Sequence, residues 1–289
     1  EIQRCDWSSD VCSSDLSINT CLILVGDHNQ LSSVGPGKIL RDIIENSLCV
    51  VNRLTQIQRQ ADHSSIIRAA HAINNGQSIK HLTASDFLFI EEEDPPLIKE
   101  RIVRIIAGGT QAPIEDIQVL SPMKKDDAGT KELNLALREV SRQHNVFRLA
   151  VPDSDVPVGG FLPGDKVIQL ENNYEKDVFN GETGYVVVAD PEEKTVTVLF
   201  ENKKITYDDF EIDQIGLAYA LTVHKYQGSE IPCVIMPLTT QHYIMLYRNL
   251  LYTAVTRAKN TLILVGSQKA LAIAVKNDAP VLRYSGLGC

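Results

Sequence analysis

Phosphate oxygens are held by N–H and O–H donors carried on rigid backbone, and several stretches of this chain have that form. Gly26, Asp27 and Gln30 follow the apolar run 21–25 and lead through Gly35 and Gly37 into a helical pattern. A tip after the carboxyl end of a parallel strand is where α/β proteins place ligands. Its glycines allow tight turns and close approach. The Gln30 amide both donates and accepts, so it can sense a phosphate or an attacking water. In TVHKYQGSE (222–230), Thr222, His224 and Lys225 follow a second apolar run. Gly228 permits a turn there, and a carboxylate beyond it, Glu230, can take a ribose hydroxyl. At the end of a third run, 117–120, Ser121 and nearby backbone N–H groups can bond phosphate, with Lys124 and Lys125 as salt-dependent partners. Asn172, Asn173 and Tyr174 offer amide donors and one stacking face to a single strand.

Taken together these strings resemble a known family. LAYALTVHKYQGSE (217–230) and NLLYTAVTRAK (249–259) resemble the last two signature motifs of a superfamily 1 helicase, specifically a RecD-like one. GDHNQLSSVGPG (26–37) resembles the third helicase motif and LTQIQRQ (54–60) the fourth. The string ENNYEKDVFNGETG (171–184) is also family-like, and the likeness runs from about Leu22 to the C-terminus.

The resemblance implies two RecA-like domains that clamp ATP with Mg²⁺ as cofactors. Cycles of opening and closing then step the protein 5′→3′ along single-stranded DNA and unwind duplex DNA. It implies catalytic roles for Gln30, Arg59 and Arg257. The two arginines would stabilise charge on the γ-phosphate, an effect worth about 10³–10⁵ in rate. Nucleotide contacts would come from Gly26, Asp27, Gly228 and Glu230 as well. DNA contacts would come from Ser121, Pro122, Met123 and Lys124, from Asn172, Asn173 and Tyr174, and from Thr222, His224 and Lys225. No residue is assigned as a metal ligand. A recombination or repair complex is the implied setting.

Half of that machinery is not in the string. No G-x-x-x-x-G-K-[ST] phosphate loop occurs in the 289 residues; the nearest approach, Gly35-Pro36-Gly37-Lys38, has Ser32 for the first glycine and Ile39 for the hydroxyl. The expectation is a helicase whose phosphate loop and acidic Mg²⁺ motif lie upstream, with this polypeptide inactive alone. Residues 6–16 resemble a translated sequencing adapter, so native sequence is expected to start near Ser17. Two other readings share the motifs: the helicase portion of a conjugative relaxase, and a non-catalytic nucleic-acid-binding module on the same fold.

Composition agrees with a folded, cytoplasmic α/β protein. Hydrophobic residues make up 44% of the chain, enough for a real core. No apolar run nears the roughly 20 residues of a membrane helix. Cys21, Cys49, Cys233 and Cys289 are scattered, without a C-x-x-C pair, which argues for reduced thiols and against a zinc site. A net charge of −9 makes the chain a poor general polyanion binder, so any nucleic-acid contact must be a local groove.

The elements that must position these residues alternate. Strands are expected at 21–26, 87–90, 117–122, 216–221, 233–238 and 261–265, with helices at 37–46, 64–76, 97–108, 129–143 and 245–257 between them. Such alternation predicts a parallel sheet covered by helices. Between 151 and 212 the pattern changes to period-two runs split by turn residues, which predicts a small antiparallel β-barrel. The expected organisation is therefore a RecA-like α/β sheet domain of the P-loop NTPase type with an SH3-like barrel inserted. Residues 1–16 form a non-native tail and 17–46 a remnant of a first RecA-like domain. Residues 47–150 with 213–289 form the second, and 151–212 the barrel.

Overall fold

The computed structural model describes residues 21, 23–32, 39–53, 64–108, 113–143 and 157–278. Arg59, Gly35, Gly37 and the adapter-like stretch lie outside the described residues. The chain falls into two compact units, one holding residues 1–28, 34–51 and 283–289, the other 29–33 and 52–282.

The larger unit is built on a parallel sheet. Its strands are β1 (Phe87–Glu91), β2 (Ile117–Ser121), β8 (Ala220–Thr222), β9 (Ile231–Leu238) and β10 (Ala258–Gly266), in the order β1-β10-β9-β2-β8. Every pairing among them is parallel. A parallel strand is covered on both faces, so it reads as a continuous apolar run, and β9 (IPCVIMPL) is one. Its side chains alternate between two layers. Val234, Met236 and Leu238 pack with helices α2 (Ser65–Asn74), α5 (Arg248–Val255) and α6 (Gln268–Lys276). Cys233 and Ile235 pack with α3 (Pro95–Ala107) and α4 (Thr130–Gln143). In α3, Ile98, Ile102 and Ile106 recur every fourth residue and are buried, each worth about 1.5–3 kcal/mol of removal from water.

Helix α2 starts where the sequence says it should. Ser64 caps it, its hydroxyl accepting from the Ile66 N–H at 3.2 Å. Asp86, from the turn before β1, reinforces the cap by accepting from Ser64 Oγ at 2.8 Å and the Ser65 N–H at 2.7 Å. Burial pushes the Asp86 carboxyl up, but these hydrogen bonds and that of Ile66 together hold it below 3.8.

The period-two stretch forms a second, antiparallel sheet of β3 (Lys166–Gln169), β4 (Thr183–Asp190), β5 (Thr195–Phe200), β6 (Lys203–Tyr207) and β7 (Ile215–Leu217), in the order β6-β5-β4-β3-β7. Val196, Val198 and Phe200 of β5 point into its own core. Among the described residues no ladder joins the edge strands β6 and β7, so where a barrel was expected the strands form an antiparallel sheet. A polar junction ties this sheet to α4. Arg138 donates Nε to Asp165 Oδ1 at 2.9 Å and Nη2 to Oδ2 at 2.6 Å. Asp165 also accepts from the Leu162 N–H and the Tyr219 hydroxyl, while burial raises its carboxyl above the usual value. Beside it Lys166 is buried, with Gln118 Oε1 at 3.4 Å. Burial lowers its ammonium to about 8, against the opposing pull of Glu115 and Asp116.

Three expectations are corrected. The run 216–221 is not one strand: β7 closes the antiparallel sheet beyond residue 212, and β8 pairs with β2 of the parallel one. The helix expected at 245–257 starts at Arg248, after a separate 3-10 segment, Thr240–Met245. The described residues of the apolar run 21–26 form no strand. Ile23 and Val25 are 79% and 88% exposed, because an apolar run becomes a strand only where neighbours satisfy its N–H and C=O groups.

Two stability measurements follow. Asp86→Ala should lower the unfolding free energy by about 1 kcal/mol in urea titration at pH 7. A carboxyl depressed on folding contributes above its unfolded value and stops contributing as pH falls through its folded one, so the deficit should close below pH 3.8. Lys166→Met should stabilise at pH 7, by up to about 3 kcal/mol, since the folded state there holds a poorly paired buried ammonium. Between pH 8 and 10.5 the unfolded lysine binds more protons than the folded one, so the parent gains stability with pH and the two should converge.

Candidate functional site

Three distant segments meet at Arg257, the turn residue after α5. Its side chain is 4% exposed. Nε donates to Thr253 O at 3.2 Å and Nη1 to Ser229 O at 3.2 Å. Nη2 donates to Gln30 Oε1 at 3.1 Å and Thr256 Oγ1 at 3.2 Å. The Gln30 segment is fastened twice more. The Leu31 N–H donates to Thr253 Oγ1 at 2.8 Å, and Gln227 Nε2 donates to Leu31 O at 2.6 Å. Gln30, Ser229 and Arg257, from three of the quoted strings, are therefore brought together.

The loop 223–230 connects this cluster to β8. Gly228 has φ +92°, a conformation that side chains with a Cβ rarely adopt, though nothing lies within 4 Å of where the Cβ would be. Only backbone freedom, not space, demands glycine there. Glu230 follows, 3.8 Å from Lys259 Nζ. Burial, with the Glu230 carboxylate assisting and Arg257 opposing, pushes the neighbouring Tyr226 phenol up to about 12, so it stays a neutral hydroxyl.

At the start of the same loop the expected DNA-side residues gather. The Lys225 N–H donates to Thr222 Oγ1 at 3.3 Å. Lys225 Nζ reaches Leu170 O at 3.1 Å and Asn180 Oδ1, bridging to the hairpin of the antiparallel sheet. Burial, then the Lys124 charge, lowers its ammonium, so Lys124 and Lys225 share one electrostatic neighbourhood. His224 Nε2 lies 3.4 Å from the Tyr247 hydroxyl.

Several side chains have different work from that expected. Ser121 is fully buried and donates its hydroxyl to Ala128 O at 2.8 Å, while Pro122 is buried too. Both shape the turn; neither presents a side chain to solvent. That turn is tight: a Cβ at Gly129 would sit 2.0 Å from Lys125 O. Met123 is half-buried, and Lys124 and Lys125 are exposed. Asn172 accepts from the Asn180 N–H at 2.9 Å and donates to the Tyr174 hydroxyl at 3.2 Å. Asn173 donates to Gln214 Oε1 at 3.0 Å and accepts from the Lys176 N–H at 3.0 Å. These amides build the hairpin. Tyr174 stays 70% exposed, edge-on to Phe179 at 6.0 Å.

Gly26 and Asp27 belong to the smaller unit, where a Cβ on Gly26 would meet Leu40 Cδ2 at 2.7 Å. Arg59 lies outside the described residues. Sequence reading singled out neither Thr253 nor Gln227; both sit inside quoted motifs, and a hydroxyl one helical turn before Arg257 was the available signal.

What the cluster can hold is part of a nucleotide. A guanidinium and an amide suit phosphate oxygens, and Glu230 suits a ribose hydroxyl. The residues do not fit a whole ATP–Mg²⁺ group. Among the described residues no group of three or more His, Cys, Asp or Glu side chains could hold a metal ion, and none is long and apolar enough as a helix to cross a membrane.

Comparison with known proteins places these features in a family. Residues 217–265 match the UvrD-like helicase C-terminal domain, 133–200 the SH3 domain of ATP-dependent RecD-like DNA helicases, and 16–90 an AAA domain. The ATP-dependent RecD2 DNA helicase of Deinococcus radiodurans is 34% identical over 255 residues, covering 88% of this chain and 33% of that protein. The RecBCD enzyme subunit RecD of Mycobacterium tuberculosis is 27% identical over 285 residues, covering 92% of this chain and 48% of that one. The chain thus spans half or less of the length of these relatives. Among solved structures, a Pif1 helicase from Bacteroides in complex with ADP-AlF3 and ssDNA matches at 16% identity, with a TM-score of 0.45, over 83% of this chain and 60% of that one. With its helicase motifs meeting at Arg257 and its parallel α/β sheet beside a separate antiparallel one, the chain belongs to the RecD-like helicase family.

Proposed function

We propose that this chain is the second motor domain, with its inserted β-module, of an ATP-dependent DNA helicase that moves along single-stranded DNA. The observation that carries the reading is the caging of Arg257 by Ser229 O, Thr253 O and Gln30 Oε1. A buried guanidinium fixed from several directions is what a charge stabiliser for phosphoryl transfer requires, since preorganised charge costs no rearrangement as the reaction proceeds. In this reading Gln30 stands in the place of a phosphate oxygen until nucleotide arrives, and Arg59 supplies the second positive charge. Glu230 takes a ribose hydroxyl.

The lysine for the β/γ-phosphates and the carboxylate for Mg²⁺ come from residues outside this string. Alone the chain therefore does not turn over ATP. Lys124 and Lys225 meet the DNA backbone, and Tyr174 meets a base. The second motor domain runs through residues 47–150 and 213–289 in this reading, with the module between as a small barrel. Relatives named as RecD2 helicases and as RecBCD subunits support action in recombination or repair.

Two measurements test the reading. The purified chain should show no ATP turnover above an Arg257→Ala control; turnover that depends on Arg257 would overturn its inactivity. A fluorescent oligothymidylate should bind with salt-dependent affinity, and Lys124→Ala should reduce the slope of log K against log salt by about 0.7. Binding with no salt dependence, or none at all, would sink the DNA-side assignment.

A further inference from the structure

Gln30 Oε1 and Arg257 Nη2 meet at 3.1 Å, and one side chain sits where it can govern that distance. Thr253 is fully buried on α5, among Leu250, Leu251, Ala254 and Val255. Its backbone carbonyl accepts from Arg257 Nε at 3.2 Å. Its hydroxyl donates to Asn249 O at 2.7 Å, one helical turn back, and accepts from the Leu31 N–H at 2.8 Å. These roles are not interchangeable. A carbonyl only accepts and an N–H only donates, so the hydroxyl hydrogen goes to Asn249 and a lone pair to Leu31. The Leu31 nitrogen belongs to the peptide group that joins it to Gln30. Thr253 therefore holds Arg257 by its main chain and the peptide beside Gln30 by its side chain. Gln227 completes the hold, its Nε2 donating to Leu31 O at 2.6 Å.

Nothing in α5 itself asks for a threonine here. β-Branched hydroxyl residues are poor helix formers, and a hydroxyl bonded to the carbonyl four residues back slightly destabilises a helix. The neighbours named above are aliphatic, and valine has nearly the same shape as threonine. What valine lacks is an acceptor for the Leu31 N–H. Leu31 is only 7% exposed, so without the hydroxyl a buried donor would lose its partner. The segment docked on the helix, not the helix, accounts for the hydroxyl.

We propose that Thr253 is a positioning residue for phosphoryl transfer: its hydroxyl fixes the peptide group next to Gln30 and so sets the Gln30 amide against the Arg257 guanidinium. Gln30 and Arg257 touch the nucleotide; Thr253 acts through them. The inference rests on the reading of Arg257 as a charge stabiliser given above, and adds to it the group that sets the reach of Gln30. A charge stabiliser is effective when its geometry is fixed before charge develops. With the backbone held, Gln30 yields Arg257 to a phosphate oxygen by side-chain rotation alone.

The test uses the whole chain and a double-mutant cycle in urea. Gln30→Ala should raise the unfolding equilibrium constant of the parent, and raise it equally in Thr253→Ser, which keeps the hydroxyl. In Thr253→Val the effect of Gln30→Ala should be roughly two- to tenfold smaller, because Gln30 is no longer held to Arg257. A merely structural threonine gives additive effects. If Thr253→Val does not fold, Thr253→Ala takes its place, since the smaller side chain leaves room for a water at the Leu31 N–H. A second measurement follows the Arg257 Nε–H signal by NMR, assigned through its own side-chain carbons, as ATP is added to millimolar concentration. The signal should move in the parent and in Thr253→Ser, and move less in Thr253→Val. Additive effects in the cycle, or an equal response to ATP in Thr253→Val, overturn the positioning role and leave the charge-stabiliser reading standing. An Arg257 signal that ATP does not move in the parent overturns both.

Discussion

The guanidinium of Arg257 is the constraint on which the rest of the site depends. It closes contacts between residues 227 positions apart in sequence, Gln30 and Arg257, and it does so from inside the protein. A buried, always-charged group must be hydrogen-bonded on its whole edge or it destabilises the fold. That demand dictates the neighbours. Thr253 must lie one turn earlier on α5 with a carbonyl to offer. The loop 223–230 must turn at Gly228 so that Ser229 O faces the guanidinium. Gln30 must approach with its amide oxygen. Thr253 and Ser229 accept through backbone carbonyls and Gln30 through its side-chain amide, so the group that is suited to a phosphate is also a reason that three segments hold together.

The sheet explains how one loop serves two faces. β8 contributes only Ala220–Thr222 to the parallel sheet, yet the loop that follows begins at Lys225, bonded to the antiparallel module, and ends at Ser229 and Glu230, beside Arg257. Its length is short and its ends are fixed by hydrogen bonds at both places. A few residues of backbone therefore separate the hairpin contact at Asn180 from the Arg257 cluster.

Much of this was legible in the sequence, for physical reasons that differ by element. β9 and the second half of β10 announce themselves because strands covered on both faces read as near-continuous apolar runs. α2 is bracketed by a serine cap and a glycine stop. β5 shows its period because one face meets a core of its own. The failures are equally specific. The stretch 216–221 reads as one strand, yet Ala218 and Tyr219 carry the chain from one sheet to the other. No glycine or proline marks the crossing, because the turn is enforced by tertiary contacts such as Gln118 Nε2 to Ala218 O and Tyr219 O. The run 21–26 has a strand's composition but no partner among the described residues. The pairing of Gln30 with Arg257 has no local signal at all and was reachable only through motif resemblance.

Several expected ligand donors share one feature. Ser121, Asn172 and Asn173 each donate a hydrogen bond to the protein itself. Short polar side chains at strand tips first satisfy the backbone groups that a turn leaves unpaired, and only what remains outward is available to a ligand. Of the expected DNA-side residues, Lys124 on the turn after β2 and Tyr174 on the hairpin are exposed. The chain is acidic overall, with a net charge of −9, and Asp126 and Asp127 directly follow Lys124 and Lys125, so any attraction for a polyanion there is short-range. Donors legible as a motif and donors available to a ligand are therefore different sets, separated by how many backbone groups the turn itself must satisfy.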